Sequence, residues 1–467
     1  AHKTYFGQLP DVRIPVTEIK RFTLNLLANV DSIDYTITID GDTLKPNSDG
    51  IYTPTFGTYI IKASKPGYRC FRTELTIADD AEGDQNCIIE MVKAGENGWD
   101  GTTLSEAELK DGVYQISNGA ELAWFAAKVN GGDYTIAAKL VNDIDLCGYD
   151  WTPIGGDKSK LAYQGIFEGD GHTVDGLYIH NEKTYQALFG YIANSRISGI
   201  TVDGEVSAKQ YVAGVVAYMG VKSYVDRCAN KANVTATSTY VGGITGSVSQ
   251  ATTELTNSYN LGDIKGTTNC AGVAGYNHQN AVIENLFSLG SVSGNKVAAC
   301  VGGTTAKNKA KNLIATQEYD IAEGQTTVTA EQMLSGEIAH LLGEAFGQQI
   351  GTDLHPVLGG EGVYKVTYTT TFSEVSDSLY TNGLLPQLEM IDNYTSVWKT
   401  SVEGEELTEV TADCTLFVEY SEMVADDINK VLSDSSETVI YDLLGRRVNG
   451  KVNSGIYIIN GKKVVIR

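Results

Sequence analysis

The chain has 467 residues, 58 of them acidic against 35 basic, with a formal net charge of −23 at pH 7. A field of that sign repels phosphate backbones and anionic lipid, which argues against nucleic acid and membrane surfaces as partners. Hydrophobic content of 42% is ordinary for a globular protein, 50 glycines suit a turn-rich β protein, and the length suggests about three domains.

Residues 1–94 read as a small β-sandwich of about seven short strands within 11–93. Phe22-Leu24-Leu26, Tyr35-Ile37-Ile39 and Leu75-Ile77 alternate with polar neighbours, and Asp40-Gly41-Asp42 and Lys65-Pro66-Gly67-Tyr68 signal turns. The run Gly57 to Tyr68 resembles the PEGA-type and carboxypeptidase-regulatory-like domains that serve as spacers on surface proteins. Cys70 and Cys87 fall on strands that read as neighbours, either bridged or as two free thiols. The seven cysteines are otherwise scattered and do not form a disulfide framework. Asp79, Asp80, Glu82 and Asp84 read as a solvated acidic loop rather than a cation site.

After a linker at 94–98, Asn118 with Glu121 makes a capping-box pattern. It opens a helix with Leu122, Phe125, Ala126 and Val129 on one face, stopped by Gly131-Gly132. Beyond it the chain repeats itself. Val-Ala-Gly-Val at 212–215, Val-Gly-Gly-Ile at 241–244, Cys-Ala-Gly-Val at 270–273 and Val-Gly-Gly-Thr at 301–304 place Gly214, Gly243, Gly272 and Gly303 at spacings of 29, 29 and 31. Gln186-Ala187-Leu188-Phe189-Gly190 is a looser copy ahead of them, and Val206, Val234, Ile264 and Val292 form a second stripe at 28, 30 and 28. Units this short cannot bury an apolar face alone and must stack. They are rich in Val, Ile, Thr and Tyr and lack helical periodicity, so the spacing predicts a right-handed parallel β-helix (a solenoid) over 130–321, with those four glycines in one column. Two further columns follow from the same register. Tyr191, Tyr218, Ser247, Tyr276 and Lys307 form one, which reads either as plain stacking or as a ligand platform. Asn257, Asn285 and Asn312 form the other, with Arg227 and Gly199 in earlier coils.

These residues resemble the GLUG-motif repeats of bacterial surface proteins. Ala187-Leu188-Phe189-Gly190 matches the motif, and Asp143-Ile144-Asp145-Leu146, Trp151-Thr152-Pro153-Ile154-Gly155 and Phe167 to Val174 match its usual lead-in. The resemblance spans 99–358 and implies a β-helical extracellular module without implying one chemistry. Thr329 with Gln332 opens a second helix carrying Leu334, Ile338, Leu341 and Leu342 and ended by Gly343. The helices at 118–130 and 329–343 are expected to cover opposite ends of the solenoid, whose open strands and core need lids.

Residues 363–421 are strand-rich, with Tyr364-Val366-Tyr368 and Leu416-Val418-Tyr420 alternating. Ala412 to Tyr420 resembles the end of the internalin-type B repeat, a β-grasp-like spacer, with Val397 where the repeat carries glycine before Trp398. An acidic, serine-bearing stretch at 421–436 reads as a linker. The tail 437–467 resembles the end of a type IX sorting domain and carries Asn460-Gly461 between apolar runs, a strong hairpin signal.

The chain contains no His-Glu-x-x-His, Cys-x-x-Cys, phosphate-cradling loop or nucleophile elbow, and its six histidines are not at metal-ligand spacing. No cofactor is expected. One carboxylate cluster stands out: Asp143 and Asp145 at strand spacing, then Asp150, Glu168, Asp170, His172 and Asp175 within the next coils. Paired carboxylates on a β-helix face are what a glycosidase needs, and Asp143, Asp145, Asp170 and His172 are its candidate residues. The same residues suit tight coil corners, where Asp binds backbone amides. Two functions compete. One is a non-catalytic cell-surface or secreted protein, adhesive or binding a host or microbial glycan or surface protein, with Tyr191, Tyr218 and Tyr276 as binding residues. The other is a β-helical polysaccharide-acting enzyme, glycosidase or lyase. The flanking spacer-like pieces favour the first and an extracellular or outer-membrane location, with a signal peptide already removed. No apolar run approaches the roughly 18 residues a membrane span needs.

Overall fold

The structure, a computed structural model, describes residues 20–156, 159–277, 280–302, 309–317, 325–386, 394–422, 440–442, 448, 455–459 and 462–466. The chain is mainly β, 48% strand and 7% helix, and is built around a parallel β-solenoid of about seven turns. It divides into two compact units, residues 1–330 with 341–345, and residues 331–340 with 346–467.

The first unit begins with two small sheets. Strands Asp42–Thr43, Asp34–Ile39, Gly57–Ser64 and Phe71–Ile77 make an antiparallel sheet, and Leu24–Ala28 pairs in parallel with Gln85–Ile89. Leu24, Cys87 and Ile89 from one sheet share a core with Ile37, Tyr59 and Ile61 from the other, as in a sandwich. Among the described residues six strands are present here. All seven cysteines are free. Cys87 lies in the parallel pair, whereas Cys70 immediately precedes the last strand of the other sheet, so they do not sit on paired strands.

The predicted first helix is present at Gly119–Asn130. Asn118 Oδ1 accepts from Glu121 N at 3.0 Å, and Glu121 reaches back to Ser117 N rather than to the cap residue itself. Gly132, at φ +126°, turns the chain away. Leu122, Phe125, Ala126 and Val129 are buried as expected, and Phe125 meets Tyr163 and Phe167 with ring centroids 5.9 and 5.8 Å apart. This helix closes the first end of the solenoid core.

The coils stack in parallel register. Val206, Val234, Ile264 and Val292 align one above another, all buried, and Ile179 extends the stripe upward. Asn257, Asn285 and Asn312 form the expected outer ladder. Asn257 donates to Asp226 (2.8 Å), Asn285 to Asn257 (3.0 Å) and Asn312 to Asn285 (2.8 Å). All three, with Arg227 and Gly199, hold φ between +45° and +65°, the left-handed corner that asparagine and glycine take most readily.

The glycine column needs one correction. Gly214 N donates to Gly243 O and Gly243 N to Gly272 O, but Gly272 N donates to Ala299 O, so Ala299 and not Gly303 is the fourth member. Val292 leads to Val297 across a corner one residue shorter than that from Ile264 to Cys270, and Cys270 then pairs with Val297. Gly303 lies outside the described residues. The reason for glycine is across the core. Asn230, Asn260 and Ser288 form a second, buried ladder, with Asn230 donating to Asn260 at 2.7 Å and Asn260 to Ser288 at 3.3 Å. A Cβ on Gly214 would sit 1.8 Å from Asn230 Oδ1, one on Gly243 2.1 Å from Asn260 Oδ1, and one on Gly272 2.0 Å from Ser288 Oγ. Where the ladder position becomes Val202 or Ala315, the glycine position becomes Leu188 or Ala299. Close approach of a buried polar ladder, not turn geometry, sets these glycines.

The second predicted helix is two short ones, Ala330–Leu334 and Glu337–Leu342. Gly336 at φ +86° breaks the run, and Ser335 Oγ accepts from Glu337 N to start it again. The break rotates the buried side onto Met333, Ile338, Ala339 and Leu342, leaving Leu334 and Leu341 about half exposed. Residues 331–340 group with the second unit and 341–345 with the first, where Leu341 O accepts from Asn312 Nδ2 of the last Asn rung at 3.3 Å.

The second unit holds a mixed four-stranded sheet in which Tyr364–Thr370 and Cys414–Glu422 pair in parallel, flanked by Ser373–Thr381 and Tyr394–Lys399. Val366, Leu416, Val418 and Trp398 form its core. In the tail, Gly455–Ile459 and Lys462–Ile466 pair antiparallel with Ile459 opposite Lys462, on either side of Asn460-Gly461, which lie outside the described residues. The linker read at 421–436 falls mostly outside the described residues.

Candidate functional site

Stacking brings two groups of outward side chains together. The first is the carboxylate cluster of the opening coils. Asp143 accepts from Thr173 N at 2.9 Å and lies 3.1 Å from His172 Nδ1. The Thr173 amide, helped by His172, holds the Asp143 carboxyl below the usual carboxylate range despite partial burial. Asp145 Oδ1 accepts from Cys147 N at 2.8 Å and from Arg69 at 2.9 Å. Its register partner Asp175 takes the other arm of the same guanidinium and the Gly176 amide. Asp170 pairs with Lys139 at 2.8 Å, which lowers its pKa. Asp150 meets Lys62 and Arg72, and the Arg72 guanidinium also lies 3.4 Å above the Tyr178 ring. Lys62 and Arg72 come from strands of the N-terminal antiparallel sheet and Arg69 from the connection between those strands. The backbone follows the same line, with Cys70 N donating to Cys147 O and the Tyr149 hydroxyl donating to Lys65 O and Tyr68 O. Asp143 and His172 are thus brought together, Asp145 is turned to Arg69, and Asp170 to Lys139. Asp145, Asp150 and Asp175 fasten the N-terminal sheets to the first coils, while Asp143 and Asp170 bond within the coils themselves.

The second group is aromatic. Tyr191, Tyr218 and Tyr276 fall in the column read from the repeat, with Ser247 between the last two. Lys307, the expected fifth member, lies outside the described residues. Reading the repeat had missed a parallel column. Tyr185, Tyr211 and Tyr240 stack with centroids 4.8 and 4.7 Å apart and planes within 7°. The two columns interlock edge to face, Tyr185 and Tyr211 against Tyr218 at 87° and 81°, and Tyr240 against Tyr276 at 82°. The signal was available, because each of the three tyrosines stands directly before a repeat motif, at Gln186, Val212 and Val241. All six rings are half-buried. Burial and neighbouring phenols push Tyr211 up to about 12, and burial with Tyr218 raises Tyr191 as well.

The backbone at the second column carries a cost. Tyr185, Tyr211 and Tyr240 hold φ of +60°, +53° and +67°, and in the next coil Asn269 takes the same corner at +52°. Left-handed backbone costs a bulky residue about 1–2 kcal/mol, whereas asparagine adopts it readily. Three successive coils nevertheless carry tyrosine there. Beside the rings runs an uncharged polar row in which Thr239 donates to Thr268 O at 2.8 Å and accepts from Thr268 Oγ1 and Asn269 Nδ2, each at 3.0 Å.

Among the described residues no three His, Cys, Asp or Glu side chains are grouped to hold a metal ion, and no helix is long and apolar enough to cross a membrane. The chain matches no known family model, no curated protein and no solved structure. The class its fold defines is the parallel β-solenoid with appended β modules.

Proposed function

We propose that this chain is a non-catalytic surface or secreted protein that binds a glycan or protein through the side of a rigid solenoid. The binding surface is the double tyrosine column of Tyr185, Tyr211 and Tyr240 with Tyr191, Tyr218 and Tyr276. One observation carries the reading: three consecutive coils hold tyrosine in a left-handed backbone where the fourth uses asparagine. Strain retained at bulky, accessible side chains points to a use beyond packing. The likeness to surface-protein repeats and spacers supports an extracellular or outer-membrane location. The competing enzyme reading has no comparable support, since Asp143 and Asp145 each accept a backbone amide and Asp145 and Asp170 each face a cation. A glycan array run alongside a reducing-sugar release assay tests the choice. Binding without release is the expected result. Sugar release by the parent protein that disappears in the Asp143→Asn, Asp145→Asn double variant would reverse it.

A further inference from the structure

The tyrosine face has a repeat direction, and this narrows its ligand. We infer that it takes a linear, uncharged polysaccharide laid along the solenoid axis; this inference rests on the binding role proposed above.

The first column advances one ring per coil over three coils, with centroids 4.8 and 4.7 Å apart, and the second places rings in the first, second and fourth coils, with Tyr191 and Tyr218 4.5 Å apart. Four coils contribute, so the strip is about 14 Å long at a coil spacing of roughly 4.8 Å. A surface that repeats by translation matches a ligand that also repeats, which a polymer does and the irregular surface of a folded protein does not. An extended peptide would ordinarily be held through a free strand edge. Here the strands beneath Tyr211 and Tyr240 are bonded to the coils above and below, and the sheet edge at Thr184–Gln186 runs across the solenoid axis rather than along the strip.

Charge narrows the class further. The row beside the first column is Thr184, Gln210, Thr239 and Thr268, none of them charged. The row offers a polyanion no cation, and the net charge of −23 opposes one. A polycation would need carboxylates in the strip, and those positions hold none. Half-buried tyrosines flanked by hydroxyls and amides offer apolar ring area next to hydrogen-bonding groups, the pairing that the C–H faces and hydroxyls of a neutral sugar require. The rings also hold one another in place, so little side-chain entropy remains to be lost on binding.

The test is calorimetric titration of the full chain with xylo-, cello-, manno- and malto-oligosaccharides from dimer to hexamer, with polygalacturonate as the charged control. In at least one neutral series, affinity should rise about tenfold or more from dimer to tetramer and level off once the strip is spanned. Tyr240→Ala should weaken hexamer binding about tenfold, the scale of one lost aromatic contact. If that variant misfolds, Gln210→Arg leaves every ring in place while adding bulk and charge to the row, and should weaken binding comparably. Equal affinity for dimer and hexamer would overturn the axial placement while leaving a glycan-binding role standing. Polygalacturonate binding better than every neutral series would overturn the uncharged class. Binding by Gln210→Arg and a folded Tyr240→Ala at parental strength would put the ligand elsewhere. Silence in all series overturns the inference, and the glycan array then decides the wider reading separately.

Discussion

The carboxylate corner and the tyrosine face are made the same way and end in opposite states. Both are rows of outward side chains aligned by coil stacking. At the corner, Asp143, Asp145, Asp150, Asp170 and Asp175 each meet a backbone amide or a cation, and Arg69 alone spans Asp145 and Asp175. On the tyrosine face the rings meet mainly one another, and their outer edges stay accessible. The lesson is that clustering alone does not mark a site. The two differ in what the chain supplies to them, amides and cations at the corner and other rings on the face.

Both surfaces depend on register, so the largest effect should come from disturbing it. Gly243→Ala would press a Cβ to 2.1 Å from Asn260 Oδ1 and 2.6 Å from Gly272 O. It should destabilise by about 3 kcal/mol, read as a lower unfolding midpoint, while Gly95→Ala, which meets nothing within 4 Å, should change little. A neutral Gly243→Ala would mean that the inner ladder does not set the column.

Removing a ring from the middle of the face should cost less. Tyr211→Ala loses stacking on both sides and should destabilise by about 2 kcal/mol. Tyr211→Phe keeps the stack and should stay near the parent. If the two variants melt alike, the rings do not hold one another.

At the corner, Arg69→Ala should lower stability by about 1 kcal/mol, because the pairs it makes are only partly shielded from water. The loss should shrink as salt is raised. A salt-independent loss would mean that packing, not charge, fastens the joint.

The smallest effects separate the two surfaces by pH. Asp143 and Asp170 have folded pKa values lowered below the unfolded value. Their contribution is complete above about pH 4 and is lost as pH falls through the lower folded values. Tyr211 runs the other way. Its folded pKa is raised to about 12, so its contribution is complete below about pH 10 and is lost as pH rises toward that value. Ultraviolet titration of the native chain should therefore show phenols ionising later than in denaturant. Early ionisation of all tyrosines would place the rings in water rather than against one another.

Much of this architecture was legible in the chain itself. A repeat of apolar and glycine positions near 28–30 residues dictates stacking, because no single coil can bury its own inward face. The stripe of Val206, Val234, Ile264 and Val292, the outer Asn257–Asn285–Asn312 ladder, the helix behind Asn118 and the hairpin at Asn460-Gly461 are local or strictly periodic signals, and each has its place in the fold. What only tertiary structure decided depends on corner lengths and distant partners. Cys270 pairs with Val297, only five residues after Val292, and this put Ala299 rather than Gly303 in the column. Asn230, Asn260 and Ser288 became an internal ladder only once coils 28 to 30 residues apart in sequence met. Arg69 reached Asp175 across 106 residues, and the left-handed corner at Tyr185, Tyr211 and Tyr240 set a second ring column against the first. Periodicity fixes which residues recur; the path of the chain between recurrences fixes what they touch.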